Sequence, residues 1–369
     1  MTNLTPRVDR RRSPAAAAVA LTLLLVAQLA VAAAPSSALP DQELASRVRA
    51  RVAELAAKDE FSGVVLVARE GRPVVEVAVG MANRSTGTPV TPDTRFNVGS
   101  ITKLMTRIII QKLAREGRLA LDEPFGRVLP DYPDREIAAR VTPRQLLEMS
   151  SGLGDFFGDA FESAAKDRIR ELADYLPFFA GRPLEFEPGT DRRYSNAGFI
   201  VLGLMIEKIY GEPYRDVVQR EVFDVAGMRD SAFLASDEIA PRVATGYTRD
   251  GWMRGGEVPL GPLRSNVTIL PGRGSSAGGS YSTARDLVAL DRAIATGRFL
   301  PPGTPPPPPG ANGVAGGTNG ANAALESDSG RGWTIVVLAN LDPPAAESLT
   351  REIAVWCGFP SNEERPQRR

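Results

Sequence analysis

The chain has 369 residues, 43% hydrophobic and 24% charged, which suits one large globular domain or two closely joined ones. Lysine plus arginine equals aspartate plus glutamate, and the basic clusters sit at residues 10–12 and 365–369, so no basic surface favours nucleic acid as a partner. There is no histidine and a single cysteine, Cys357, which excludes Ser-His-Asp catalysis and His-ligated metals; no metal and no cofactor are expected.

The first element in chain order is an export signal, residues 1–38. Arg10, Arg11 and Arg12 precede an almost wholly apolar run over residues 15–34, and small residues then place cleavage after Ala33 or Ala38. An uncleaved membrane anchor is the alternative, because the run approaches the roughly 20 residues that span a bilayer. No cysteine follows the run, so no lipoprotein anchor is expected. Signal removal predicts a secreted or periplasmic protein, free of the membrane, acting on a small-molecule or peptide substrate. Oligomeric state is left open.

Residues 41–58 read as an amphipathic helix with Leu44, Val48, Val52 and Leu55 on one face. Two apolar runs follow, residues 63–67 and 73–79, separated by the turn signal Arg69-Glu70-Gly71-Arg72. The other end mirrors this: residues 322–326 and 333–339 flank Ser327-Asp328-Ser329-Gly330, and Pro343-Pro344 opens a helix to about Trp356. Neither hairpin is stable alone, so one antiparallel sheet built from both ends is expected, with both helices on it. Helical spacing marks residues 100–116, 143–149, 167–179 and 196–210, and a further helix opens at Ser282-Thr283-Ala284-Arg285-Asp286. The predicted fold is an α/β sandwich, with a sheet domain from residues 41–92 and 266–358 and a mostly helical domain over 93–265. Residues 301–324, with prolines at all of 305–309, read as a surface linker.

Chemistry concentrates at Ser100 and Lys103. They lie about 60° apart on a helix whose neighbours Ile101, Leu104, Met105, Ile108, Ile109 and Ile110 make it apolar nearly all round. A lysine on a buried helix needs a reason, because desolvating its ammonium is costly. Either Lys103, neutralised by burial, or Tyr194 of Tyr194-Ser195-Asn196, lowered by a charged Lys103, can serve as base; if the two touch, their titrations are coupled. Asn196 offers a donor and an acceptor for Lys103 and a substrate amide, although Tyr194 as packing and Asn196 as an N-cap is the plainer reading of that string alone. A second S-x-x-K string, Ser163 to Lys166, lies in a charged stretch and reads as an exposed helix face.

In order and spacing these strings resemble the serine β-lactamase and D-alanyl-D-alanine peptidase superfamily, in its class C-like branch with esterases and D-aminopeptidases. Ser100-Ile101-Thr102-Lys103 and Tyr194-Ser195-Asn196 match the first two boxes; Ser151-Gly152-Leu153, Glu187-Pro188-Gly189-Thr190, Gly227-Met228 and Ala277-Gly278-Gly279-Ser280-Tyr281 match the surroundings. The resemblance implies a β-lactamase/transpeptidase-like fold and Ser100 as the acylated nucleophile. It makes Lys103 and Tyr194 the proton-handling pair and Asn196 a substrate and lysine anchor. Gly316, Gly317 and Thr318 become substrate-binding, with backbone N–H groups of Ser100 and Gly317 as the oxyanion hole. The third box departs: Val314 replaces the cation or imidazole, which removes an anchor for a substrate carboxylate. Met149 stands where many relatives carry histidine, and Arg107 lies one turn beyond Lys103, either adding positive potential or disturbing packing. The expected function is an exported serine hydrolase that cleaves an ester or amide, a β-lactam or D-amino-acid peptide among them, through a Ser100 acyl-enzyme. The alternative is a catalytically impaired relative that binds cell-wall peptides or a protein partner.

Overall fold

A computed structural model describes residues 38–249 and 261–359. Residues 1–37 of the expected export segment lie outside them, as do residues 250–260 and the C-terminal basic cluster. In chain order the main elements are α1 (Asp41–Ala57), β1 (Gly63–Arg69), β2 (Arg72–Val79), α2 (Thr102–Arg115), α3 (Pro143–Leu147), α4 (Asn196–Tyr210), α5 (Ala284–Ala295), β3 (Ala311–Thr318), β4 (Ala321–Asp328), β5 (Trp333–Ala339) and α6 (Ala345–Trp356).

Five strands form one antiparallel sheet in the order β2-β1-β5-β4-β3. The two chain ends meet at its centre, where Val65 of β1 pairs with Val337 of β5. The β1–β2 turn places Glu70 and Gly71 at φ 51° and 75°, the left-handed pair that a two-residue hairpin favours. Strand alternation sends successive side chains to opposite faces. Val65, Val67, Ile335 and Val337 pack with Leu44, Val48 and Val52 of α1 and Leu349 and Ile353 of α6. Val64, Leu66, Val336 and Leu338 pack on the other face, with Leu287 and Leu290 of α5 and the helices of the middle of the chain. Burial on both faces explains why β1 and β5 read as continuous apolar runs. The start of α5 follows the expected signal: the Thr283 side chain accepts the Asp286 backbone N–H.

Three readings are corrected. Residues 167–179 form no α-helix but two 3-10 segments, Lys166–Arg168 and Leu172–Phe178. Pro177 lies inside the second, and the Asp174 carboxylate takes the backbone N–H groups of Arg170 and Glu171. The linker reading of residues 301–324 holds no further than residue 310, because 311–318 is the edge strand β3 and 321–324 already belong to β4. Composition hid β3 because Ala311–Thr318 pairs through its backbone and carries little side-chain pattern. Lys166 is 8% exposed rather than solvated: its ammonium caps the carbonyls of Phe161 and Glu162 and lies 4.6 Å from the Phe161 ring centre. Ser163 bonds the Asp159 carbonyl at 2.6 Å instead. Among the described residues no helix is long and apolar enough to cross a membrane.

Leu338 is fully buried beneath the helices of the middle of the chain. Leu338→Ala is expected to cost about 2–5 kcal/mol, read as a fall in the urea unfolding midpoint. A midpoint equal to the parent's would contradict this packing.

Candidate active site

The segment before α2 narrows the chain against two other backbones. Gly99–Ile101 is a single 3-10 turn that leads into α2, and Gly99 has φ 52°. The Asn97 side chain accepts the Gly99 N–H at 2.9 Å, and Thr102 Oγ1 donates to the Gly99 carbonyl at 2.8 Å. A Cβ on Gly99 would lie 2.7 Å from the Gly317 nitrogen, and one on Gly316 would overlap Val98 O and lie 2.5 Å from the Ser100 nitrogen. The glycines of β3 therefore let an edge strand run directly against the turn that carries Ser100. Val314, on the same strand, packs against the apolar core and supplies no charge.

Around Ser100 the expected side chains converge. Ser100 Oγ is 2.6 Å from Tyr194 Oη and 3.0 Å from Lys103 Nζ. Lys103 is 7% exposed, and its nitrogen also donates to Asn196 Oδ1 at 2.7 Å and to the Ala277 carbonyl. The Asn196 amide orientation is fixed by its other end, where Nδ2 donates to Asp155 Oδ2 at 2.8 Å. Ser195, not Asn196, is the N-cap of α4, accepting the Gly198 N–H. Tyr194 is 54% exposed although its hydroxyl reaches Ser100, so the cluster opens to solvent on the tyrosine side. Thr318 ends β3, paired with Ala321, two residues beyond the contact at Gly316.

The electrostatics separate the two candidate bases. Burial pulls the Lys103 ammonium from 10.5 down to about 7, against an upward pull from the Asp155 charge. Burial pushes the Tyr194 phenol up, the Ser100 hydrogen bond opposes this, and Asp155 adds to it. Ala277 O and Asn196 Oδ1 can only accept. A neutral Lys103 amine gives them its two N–H bonds and keeps its lone pair for the Ser100 hydroxyl. The arrangement can thus take a proton from Ser100 at neutral pH without an imidazole.

Asp155 is the residue that sequence reasoning missed. It follows Ser151-Gly152-Leu153 by two positions, and nothing in its local pattern marks it apart from a loop carboxylate. Arg107 Nη2 donates to the Leu147 carbonyl at 2.9 Å and ties α2 to the end of α3. Met149 holds φ 60°, and its backbone carbonyl and sulfur accept the backbone N–H groups of Arg193 and Ser195. It therefore fastens the loop before Asp155 to the segment carrying Tyr194.

Residues 48–357 match the model of the Beta-lactamase family. The chain belongs to that family, and it is a serine hydrolase of the β-lactamase-like kind. Esterase EstB of Burkholderia gladioli is 33% identical over 263 residues, which is 64% of this chain and 67% of the relative. Penicillin-binding protein 4* of Bacillus subtilis is 28% identical over 67% of this chain but only 55% of its own length. Among solved structures, a penicillin-binding protein from Bacillus halodurans superposes with a TM-score of 0.71 at 28% identity, covering 82% of this chain and 99% of that one. A D-amino acid amidase from Ochrobactrum anthropi SV3 shares the fold, with a TM-score of 0.69 at 23% identity over 85% of this chain and 98% of its own.

Gly316→Ala is expected to force β3 away from Ser100, at a cost of about 1–3 kcal/mol in stability. It should also slow labelling of Ser100 by a fluorophosphonate at least about tenfold. Parent-like stability and labelling would contradict the close contact.

Proposed function

We propose that the protein hydrolyses esters, or amides lacking a free carboxylate, through an acyl-enzyme on Ser100. The observation that carries this is the triple contact of Lys103 Nζ with Ser100 Oγ, Asn196 Oδ1 and Ala277 O. Neutral Lys103 takes the Ser100 proton as Oγ bonds to the acyl carbon. The backbone N–H groups of Ser100 and Gly317 receive the charge that develops on the carbonyl oxygen. Tyr194, hydrogen-bonded to Ser100 Oγ, passes a proton to the departing alcohol oxygen or amine nitrogen and is reprotonated from Lys103. Water then repeats the sequence in reverse, and the acid leaves with Ser100 restored.

Substrate preference follows from Val314. A carboxylate anchor in the third box needs a cation, and this position is apolar and packed on the core. The 33% identity with an esterase supports the same choice. The binding-only alternative drew its support from the degraded third box and the proline-rich linker; β3 forms there, which weakens the second support, while Val314 still departs from the third box. The export segment, residues 1–38, is consistent with action in the bacterial envelope or outside the cell.

The test is turnover of p-nitrophenyl butyrate together with the intact mass after a fluorophosphonate and after a fluorescent penicillin. Ser100→Ala should remove turnover and adduct, and Tyr194→Phe should lower kcat about 10²–10⁴-fold. Because Lys103 must be neutral, kcat/KM should rise with pH through about 7 and fall below it. Asp155→Asn removes the charge that holds this value up, so the acid limb should move to lower pH. A fluorophosphonate adduct that persists in Ser100→Ala would overturn the nucleophile assignment, and penicillin acylation faster than ester turnover would overturn the substrate preference.

A further inference from the structure

We propose that Asn322 is a positioning residue for the oxyanion hole, acting through the Gly316–Gly317 peptide; this rests on the acyl-enzyme reading above. Asn322 lies on β4, is fully buried, and satisfies its amide four times. Its Oδ1 accepts the backbone N–H groups of Ala346 and Glu347, at 2.7 and 3.2 Å, in the first turn of α6. Its Nδ2 donates to the Gly316 carbonyl at 3.1 Å and to Glu347 Oε1 at 3.0 Å. The two backbone donors fix which end of the amide is oxygen, so the end facing Gly316 is the donor.

The consequence lies on the other side of one peptide. A trans peptide turns its carbonyl and its N–H to opposite sides, and Gly316–Gly317 is not cis. With the Gly316 carbonyl held toward β4, the Gly317 N–H is turned to the free edge of the sheet. There the Gly317 nitrogen lies close enough to Gly99 to exclude a Cβ. Gly316 and Gly317 have no side chains to lock this plane and more backbone freedom than any other residues. Among the described residues, β3 also lacks a neighbouring strand on that side to hold its register. The β3–β4 ladder, in which Gly316 lies opposite Ala323, sets the pairing; Asn322 adds a side-chain donor to the Gly316 carbonyl, and the N-terminus of α6 and Glu347 hold Asn322 in turn.

The experiment separates positioning from simple stability. Asn322→Asp keeps the size and the acceptor for Ala346 and Glu347 but faces the Gly316 carbonyl and Glu347 with oxygen only. Adding Glu347→Gln gives the introduced carboxylate a side-chain donor and relieves the repulsion, which restores the seat of α6 while the Gly316 carbonyl still lacks its side-chain donor. The readouts are the urea midpoint and the kinetics of p-nitrophenyl butyrate hydrolysis, with kcat counted per site titrated by fluorophosphonate so that unfolded protein does not enter. The double variant should recover most of the midpoint lost in Asn322→Asp yet keep kcat about 10–100-fold below the parent, with KM within about threefold. A kcat per site that returns to the parent's together with the midpoint would overturn the positioning role, as would a KM effect without a kcat effect. A parent protein that neither turns over the ester nor takes up fluorophosphonate would overturn the hydrolase reading itself, and this one with it.

Discussion

The site depends on the burial of one amine. Lys103 is enclosed on α2 with two obligate acceptors, Asn196 Oδ1 and Ala277 O, already facing its nitrogen. Water no longer stabilises its ammonium, and the counter-charge that acts on it, Asp155, does so across Asn196 rather than by direct contact. The balance leaves the amine near neutrality, where its lone pair can serve Ser100. A carboxylate paired directly with Lys103 would stabilise the ammonium and remove the base. In the proposed mechanism the asparagine between the two orients Lys103 and holds the charge of Asp155 at one remove.

The fold explains how so few side chains suffice. Ser100 and Lys103 come from one turn and helix, Tyr194 and Asn196 from the start of α4, and the Ala277 carbonyl from a loop before α5. The glycines at 99 and 316 let backbones approach there more closely than side chains would permit. The sheet made from both ends of the chain carries β3 to that point. Its apolar layers on both faces fix the strands, and Asn322 transmits that fixity from α6 to the edge.

Much of this was legible in the sequence because the signals were periodic. The apolar runs of β1 and β5, the amphipathic spacing of α1 and the cap at Thr283 each follow from local chemistry that the folded chain keeps. Ser100 and Lys103 stood out because a buried helix holding a lysine, in a chain without histidine, has few explanations; Tyr194 and Asn196 stood out through the family resemblance of their string. What escaped was determined by backbone pairing and folded geometry that leave no side-chain pattern. Strand β3 is built from backbone pairing with β4, so its composition resembles the proline-rich stretch before it. Lys166 looked exposed because its partners are backbone carbonyls, which leave no mark on sequence pattern. Asp155 and Asn322 act on groups 41 and 6 residues away, respectively, and only the folded chain brings them there.

Titration of Lys103 itself decides whether burial makes this amine the base. The sequence contains five lysines, so a 13Cε-lysine NMR spectrum of the folded protein can be assigned with Lys103→Arg. One lysine signal should titrate at about 7 and disappear in that variant. A Lys103 signal that stays protonated to about 10, as in an exposed lysine, would contradict the claim that burial makes it the base.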